Sequence, residues 1–253
     1  MEHLEGRQSV YAALKARHRK FQVILIRQGT HEEKIREILD TAAEMNVPIR
    51  HVDSRELDAL AHGSSHGGVV AICTAKPRAN AEELLEILKT ISGPPLLLLL
   101  EGVDDARNLG FTLRSADAMG VHAVLIKKHL WDFDPIEVGR PSSGAYERLT
   151  LAQIDTVAPL QQLQRNGLQL LGCIAGARRT MYETDLRRPT ILAVGGEKRG
   201  LSGAVRDICD AFLTIPTVGP EASSLSLSHA SGIVIAEAMR QRHFGNHRAG
   251  KGD

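Results

Sequence analysis

Residues Ala193–Arg242 read AVGGEKRGLSGAVRDICDAFLTIPTVGPEASSLSLSHASGIVIAEAMRQR. The pattern is a buried strand, a Gly-rich turn, a helix, a short strand ending at Ile215-Pro216, a loop of small residues and a closing helix. Small residues let a ligand reach main-chain N–H and C=O groups with no Cβ in the way. Gly195, Gly196 and Gly200 offer one such approach, and the loop Gly219–Ser228 offers another. Glu197 places a carboxylate inside the first turn. Taken alone, a turn of this kind is also an ordinary α/β connection.

A second stretch, Leu96–Ile126, reads LLLLLEGVDDARNLGFTLRSADAMGVHAVLI. Five leucines after Gly93-Pro94-Pro95 suit a strand buried on both faces of a parallel sheet. A polar loop and a helix follow, with Asn108 as the expected N-cap and Arg114 six residues on. Ligands of open α/β sheets gather at the carboxyl ends of the strands. Two such mouths in one sheet imply one shared site.

The chain has 253 residues, room for two domains, and a net charge of only +1. That balance does not announce a nucleic-acid binder, and any such surface has to come from local clustering of charge. No run of eighteen apolar residues and no signal-peptide pattern occurs, which predicts a soluble, cytoplasmic protein without a membrane segment. Cys73, Cys173 and Cys209 are expected as free buried thiols, and the scattered histidines imply no metal.

In the first domain, the pattern predicts a helix over Leu4–Ala16, a strand at Val23–Ile26, a helix over Glu32–Met45 and a strand at Val47–Val52. A short helix capped by Ser54 and a strand at Gly67–Ile72 complete a small α/β domain. Its basic cluster, Lys15, Arg17, His18, Arg19 and Lys20, reads either as a solvated face or as a phosphate-contacting patch. Tyr11 and Phe21 are its aromatics, which favours recognition of shape and backbone over base stacking. KPRAN at residues 76–80 marks the linker, followed by a helix over Ala81–Ile91. Lys127–Leu149 reads as irregular, with Lys127, Lys128, Arg140 and Arg148 as RNA-gripping or plain surface charges. A helix at Thr156–Arg165 and a strand at Leu168–Ile174 follow.

EGVDDARNLGFTLRSADAMG, AVGGEKRGL and IPTVGPEASSLSLSHASG with EAMRQR, in that order, resemble the three motifs of the SpoU/TrmH-type SPOUT RNA 2′-O-ribose methyltransferases. The resemblance covers nearly the whole chain and points to the rRNA-modifying branch. It implies an α/β fold of the SPOUT-type α/β-knot kind, a mostly parallel sheet with a deep C-terminal trefoil knot. A small L30e-like α/β substrate-binding domain precedes it. The expected organisation is a substrate-binding domain over residues 1–76, a linker at 77–80, a methyltransferase domain over 81–244 and a tail at 245–253.

The resemblance also implies S-adenosyl-L-methionine as cofactor, a structured RNA substrate of the 23S rRNA type, no metal and a homodimer. Methyl transfer to a ribose oxygen is an in-line displacement that needs positioning and charge stabilisation. Carried over by position, Arg114, Asn108, Glu197, Ser224 and Ser226 fall at the catalytic positions. Gly195, Gly196, Gly200, Ile215, Gly219 and Leu225 fall at the cofactor loops. Similar enzymes are proposed to use the equivalent of Arg114 as a general base; a guanidinium more readily orients a phosphate and stabilises an emerging oxyanion. An Arg114–Glu197 ion pair is the structural alternative. The dimer is expected to bury Ile233, Ile235, Ala236 and Met239.

One departure stands out within the third motif. Ser226 occupies the place of the family's usual Asn, keeping a hydroxyl and losing two amide donors. His229 is expected either to add a titrating contact to RNA or to cap the closing helix, the cap being preferred. Two alternatives go with the leading function: a catalytically weakened RNA-binding or ribosome-assembly protein on the same fold, and a tRNA 2′-O-methyltransferase. A dinucleotide enzyme would need G-x-G-x-x-G, which Gly195–Gly200 does not supply.

Overall fold

The computed structural model describes residues 1–62, 66–127, 133–219 and 224–245. Two compact units form, Met1–Pro77 with Asp134–Arg148, and Arg78–Phe133 with Leu149–Asp253. The expected tail at 246–253, Lys128 and Pro220–Ser223 lie outside the described residues. No helix among the described residues is long and apolar enough to cross a membrane.

In the first unit, β1 (Glu2–Glu5) pairs antiparallel with β4 (Val69–Cys73), and β4 with β2 (Phe21–Arg27). β2 then pairs in parallel with β3 (Ile49–Val52), giving the order β1-β4-β2-β3. The helix expected from Leu4 thus begins later: α1 spans Arg7–Ala16, and Gly6, at φ +91°, turns the chain between strand and helix. The expected helix over Glu32–Met45 divides into a 3₁₀ turn at Glu32–Lys34 and α2 at Arg36–Glu44. Helix α3 (Ser54–Leu60) is capped by Asp53, whose carboxylate accepts the Glu56 N–H, and not by Ser54.

Asp134–Arg148 is not irregular. It forms α6 (Pro135–Ser142) and α7 (Ala145–Arg148), which pack with the first unit. Two ion pairs hold it there: Arg140 with Glu5 at 2.7 Å, and Arg19 with Glu147 at 2.8 Å. Arg19 also reaches Glu2 at 2.7 Å and the Thr74 carbonyl at 2.8 Å, and its side chain is only 1% exposed. Arg19 is therefore a buried anchor, while Lys15, Arg17, His18 and Lys20 remain exposed.

The second unit is built on a six-stranded parallel sheet in the order β10-β8-β9-β5-β6-β7. The strands are β5 (Leu96–Glu101), β6 (Ala123–Lys127), β7 (Thr150–Ile154), β8 (Gln169–Cys173), β9 (Thr190–Gly195) and β10 (Ala211–Leu213). β5 is buried along its whole length, as the leucine run requires of an inner strand. Leu97 and Leu99 join a core with Leu84 and Leu88 of α4 (Ala81–Lys89) and with Leu160 and Leu163 of α8 (Ala158–Arg165). Alternation turns Leu96, Leu98 and Leu100 to the other face. α5 (Ala106–Ala118) and α10 (Leu227–His243) pack on each other, and α10 on β9. Burial raises the thiols of Cys73 and Cys209 to about 11 and that of Cys173 to about 12, and all three are free.

Candidate active site

The carboxyl ends of β5, β6 and β9 lie on one edge of the sheet, with Glu101 opposite Gly195. The loops that follow β5 and β9 touch main chain to main chain. A Cβ on Gly196 would stand 2.0 Å from the Gly102 oxygen, and one on Gly195 would stand 2.2 Å from the Gly200 carbonyl carbon. Gly200, at φ +60°, donates its N–H to the Gly196 oxygen at 2.8 Å. These glycines set the shape of the loop.

Glu101 fastens that loop from beneath. Buried at 3% exposure, it accepts the N–H of Ser202 at 2.8 Å and the Ser202 hydroxyl at 3.0 Å, and pairs with Lys127. Ser202 in turn caps the short helix α9 (Gly203–Arg206). Glu101 was not among the sequence-derived site residues. Its signal was an acid closing a five-leucine strand, a charge that burial tolerates only with partners. Lys127 and Arg140, read as RNA-gripping charges, are engaged by Glu101 and Glu5.

Asn108 and Glu197 line one cavity of about 250 Å³ with Gly102, Asp105, Lys198 and Leu227. Asp105, not Asn108, caps α5: its Oδ1 accepts the Asn108 N–H at 2.9 Å. The placement follows from the chain, since Asp105 is the last extended residue and Asn108 already sits in the first turn. Arg114 is exposed on α5 and does not line this cavity. Among the described residues it makes no ion pair, so the Arg114–Glu197 pair does not form. Glu197 is likewise exposed, while Lys198 pairs with Asp104 at 3.2 Å.

The third motif reaches the same place through α10. Ser226 is its N-cap, accepting the His229 N–H at 3.3 Å. His229 is thus the capped residue and not the cap. Its ring Nδ1 lies 2.6 Å from Ser226 Oγ, which is 3.0 Å from Ser228 Oγ, and Ser228 Oγ reaches Asn108 Oδ1 at 3.5 Å. Ser224 and Leu225 are exposed just before the cap.

In the loops expected from the sequence to hold the cofactor, Ile215 is half-buried two residues after β10, and Gly219 is exposed. No described residue hydrogen-bonds the main chain of Pro216–Gly219 or of Ser224 and Leu225. A second cavity of about 490 Å³, lined by Glu101, Gly102, Lys127, Arg199, Gly200 and Ser202 among others, opens beside the first. Small residues, main-chain groups without partners among the described residues and room of this size at strand ends fit a nucleoside-bearing cofactor held largely by main chain. Among the described residues no three His, Cys, Asp or Glu side chains stand together to hold a metal.

Residues 95–236 match the SpoU rRNA Methylase family, and residues 3–79 match the RNA 2′-O ribose methyltransferase substrate binding family. The 23S rRNA (guanosine-2′-O-)-methyltransferase RlmB of Pseudomonas aeruginosa is 35% identical over 95% of this chain and 97% of its own length. The RlmB of Pseudomonas syringae is 35% identical over 96% of each chain. In structure, the SpoU methyltransferase AviRb of Streptomyces viridochromogenes superposes with a TM-score of 0.80 at 25% identity, covering 96% of this chain and 90% of that one. AviRb has also been crystallised in complex with the cofactor AdoMet. With the three motifs gathered on one sheet edge and both families matched in order, the chain belongs to the SpoU rRNA methylase family.

Proposed function

We propose that this chain is a cytoplasmic homodimer that methylates the ribose 2′-hydroxyl of a guanosine in 23S rRNA, with S-adenosylmethionine as methyl donor. The observation that carries the reading is the joint placement of Asn108 and Glu197 on one cavity at the carboxyl edge of the sheet. Relatives named for that reaction align over 95% of the chain. The whole-length match, substrate-binding unit included, favours rRNA over tRNA.

The cofactor, when bound, supplies an activated methyl group. Gly195, Gly196 and Gly200 shape the first loop around it, and Ile215, Gly219 and Leu225 offer main chain from the others. The threading expected of those loops as a trefoil knot belongs to this reading. Asn108 holds the target nucleotide through its side-chain amide, and the carboxylate of Glu197, on the same cavity, accepts a hydrogen bond from the ribose. Arg114, exposed and without an ion-pair partner among the described residues, grips the flanking phosphate and stabilises the negative charge that grows on O2′. Ser224, exposed just before α10, offers its hydroxyl to the RNA. Ser226 acts by holding the start of α10.

A second copy would seat on α5 and α10. Phe111 of α5 is 48% exposed, and Ile233, Ala236 and Met239 of α10 are half-buried. Ile235, counted at first with that face, is fully buried within the chain and is unavailable to a partner.

The test is transfer of a labelled methyl group from S-adenosylmethionine to 23S rRNA and tRNA, presented separately, with Arg114→Ala as control. Label in 23S rRNA that depends on Arg114 supports the reading. Label confined to tRNA, or equal transfer by Arg114→Ala, rejects it.

A further inference from the structure

The hydroxyl that caps α10 is also the middle of a chain of hydrogen bonds that ends at Asn108. A serine hydroxyl has one proton and two lone pairs. Ser226 Oγ already accepts the His229 N–H at 3.3 Å and stands 2.6 Å from His229 Nδ1 and 3.0 Å from Ser228 Oγ. Ser228 Oγ donates to Asn108 Oδ1 at 3.5 Å. With the Ser228 proton committed to Asn108, Ser228 accepts from Ser226, and Ser226 in turn accepts from His229. Donation therefore runs from Nδ1 of His229 through Ser226 and Ser228 to Oδ1 of Asn108, each proton used once. Nδ1 carries hydrogen.

The consequence lies at the cavity. With Oδ1 taken, Asn108 Nδ2, which has no partner among the described residues, is left for whatever enters beside Glu197. Run in the other direction, Asn108 Nδ2 would donate to Ser228, Ser226 would donate to Nδ1, and the imidazole hydrogen would sit on Nε2. The site would then present a carbonyl in place of an amide NH₂. One exposed imidazole and the polarity of one amide are thereby linked.

We propose that His229, acting through Ser226 and Ser228, is a positioning residue that sets the Asn108 amide with its NH₂ free for the substrate. The group it serves is a hydrogen-bond acceptor, an oxygen of the target ribose or of its adjoining phosphate. The proposal rests on the reading of Asn108 as a substrate contact. The last link, 3.5 Å long, tightens when that substrate is bound. Ser226 thus both caps the start of α10 and carries the proton order onward.

The first readout needs no turnover. A long-range ¹H–¹⁵N spectrum of the full chain, recorded where the imidazole is neutral, reads the tautomer of His229. Hydrogen on Nδ1 with a bare Nε2 is expected; hydrogen on Nε2 overturns the proposal. The side-chain amide signals of Asn108, assigned by their loss in Asn108→Asp, should shift in His229→Leu and in Ser228→Ala. They should return in His229→Asn, whose amide N–H takes the place of Nδ1. Signals unmoved in both of the first two variants overturn it equally.

The second readout is kinetic. His229→Leu and Ser228→Ala should each lower kcat about tenfold with KM for S-adenosylmethionine unchanged, the double variant no further, and His229→Asn should recover most of the loss. Independent, additive losses, or no loss at all, contradict the relay. If the unaltered chain transfers no methyl group, the functional reading falls while the spectrum still decides the relay.

Discussion

Glu101 and Ser202, 101 residues apart in sequence, are joined twice: the main-chain nitrogen and the hydroxyl of Ser202 both donate to the Glu101 carboxylate, at 2.8 and 3.0 Å. The pair ties the end of the central strand to the loop that carries Gly195, Gly196 and Glu197. Because the carboxylate is buried and also pairs with Lys127, removing it strands three polar partners at once. Glu101→Ala should cost about 3 kcal/mol in urea unfolding and weaken cofactor binding. An unchanged unfolding midpoint would show that the clamp contributes nothing.

Gly196→Ala tests the loop contact itself. The added Cβ has no room 2.0 Å from the Gly102 oxygen, and main chain cannot yield as a flexible side chain would. Affinity for S-adenosylmethionine should fall at least about tenfold by calorimetry, while the helix content of the chain is kept. Gly203→Ala, with nothing near its Cβ, is the control that should bind normally.

Lys76 makes the stability of the first unit depend on alkaline pH. Burial depresses its ammonium to about 8, the charge of Arg19 adding to the effect and that of Glu147 opposing it. The unfolded lysine keeps its proton to about 10.5, so between these values the unfolded chain binds more protons and stability rises with pH. Relative to Lys76→Met, the unaltered protein should gain on the order of 3 kcal/mol from pH 8 to 10.5. Parallel stability curves for the two proteins would remove Lys76 as the cause.

The dimer is tested by mass. Light scattering at micromolar concentration should give twice the 27.5 kDa of one chain, and Ile233→Glu should return the value to a single chain. A single-chain mass for the unaltered protein would rule out the proposed α5 and α10 surface.

What the sequence made legible follows from strong local signals. Five leucines in a row after Gly93-Pro94-Pro95 suit a short strand covered on both faces, and Leu96–Glu101 is that strand. The order of the motifs placed Asn108 and Glu197 on one sheet edge, and they share a cavity. Finer features depended on contacts remote in sequence. Glu2–Glu5 becomes a strand only because β4 is there to pair with it, and its single apolar residue, Leu4, carries no alternation to read. Asp134–Arg148 gains its helices from burial against the first unit through Arg19 and Glu5, which no local spacing announces. The caps Asp53 and Asp105 each had another capping residue nearby, so the choice lay with backbone geometry and not with composition. His229 was legible as a residue near the third motif. Its bond to Ser226 required the first turn of α10 to be built.

The measurement that bears most directly on the central claim is nucleoside analysis by mass spectrometry of 23S rRNA after incubation with the protein and S-adenosylmethionine. The account predicts one added 2′-O-methylguanosine, absent with Arg114→Ala. Methylation on a base, or 23S rRNA left unmodified while tRNA gains the methyl group, would contradict it.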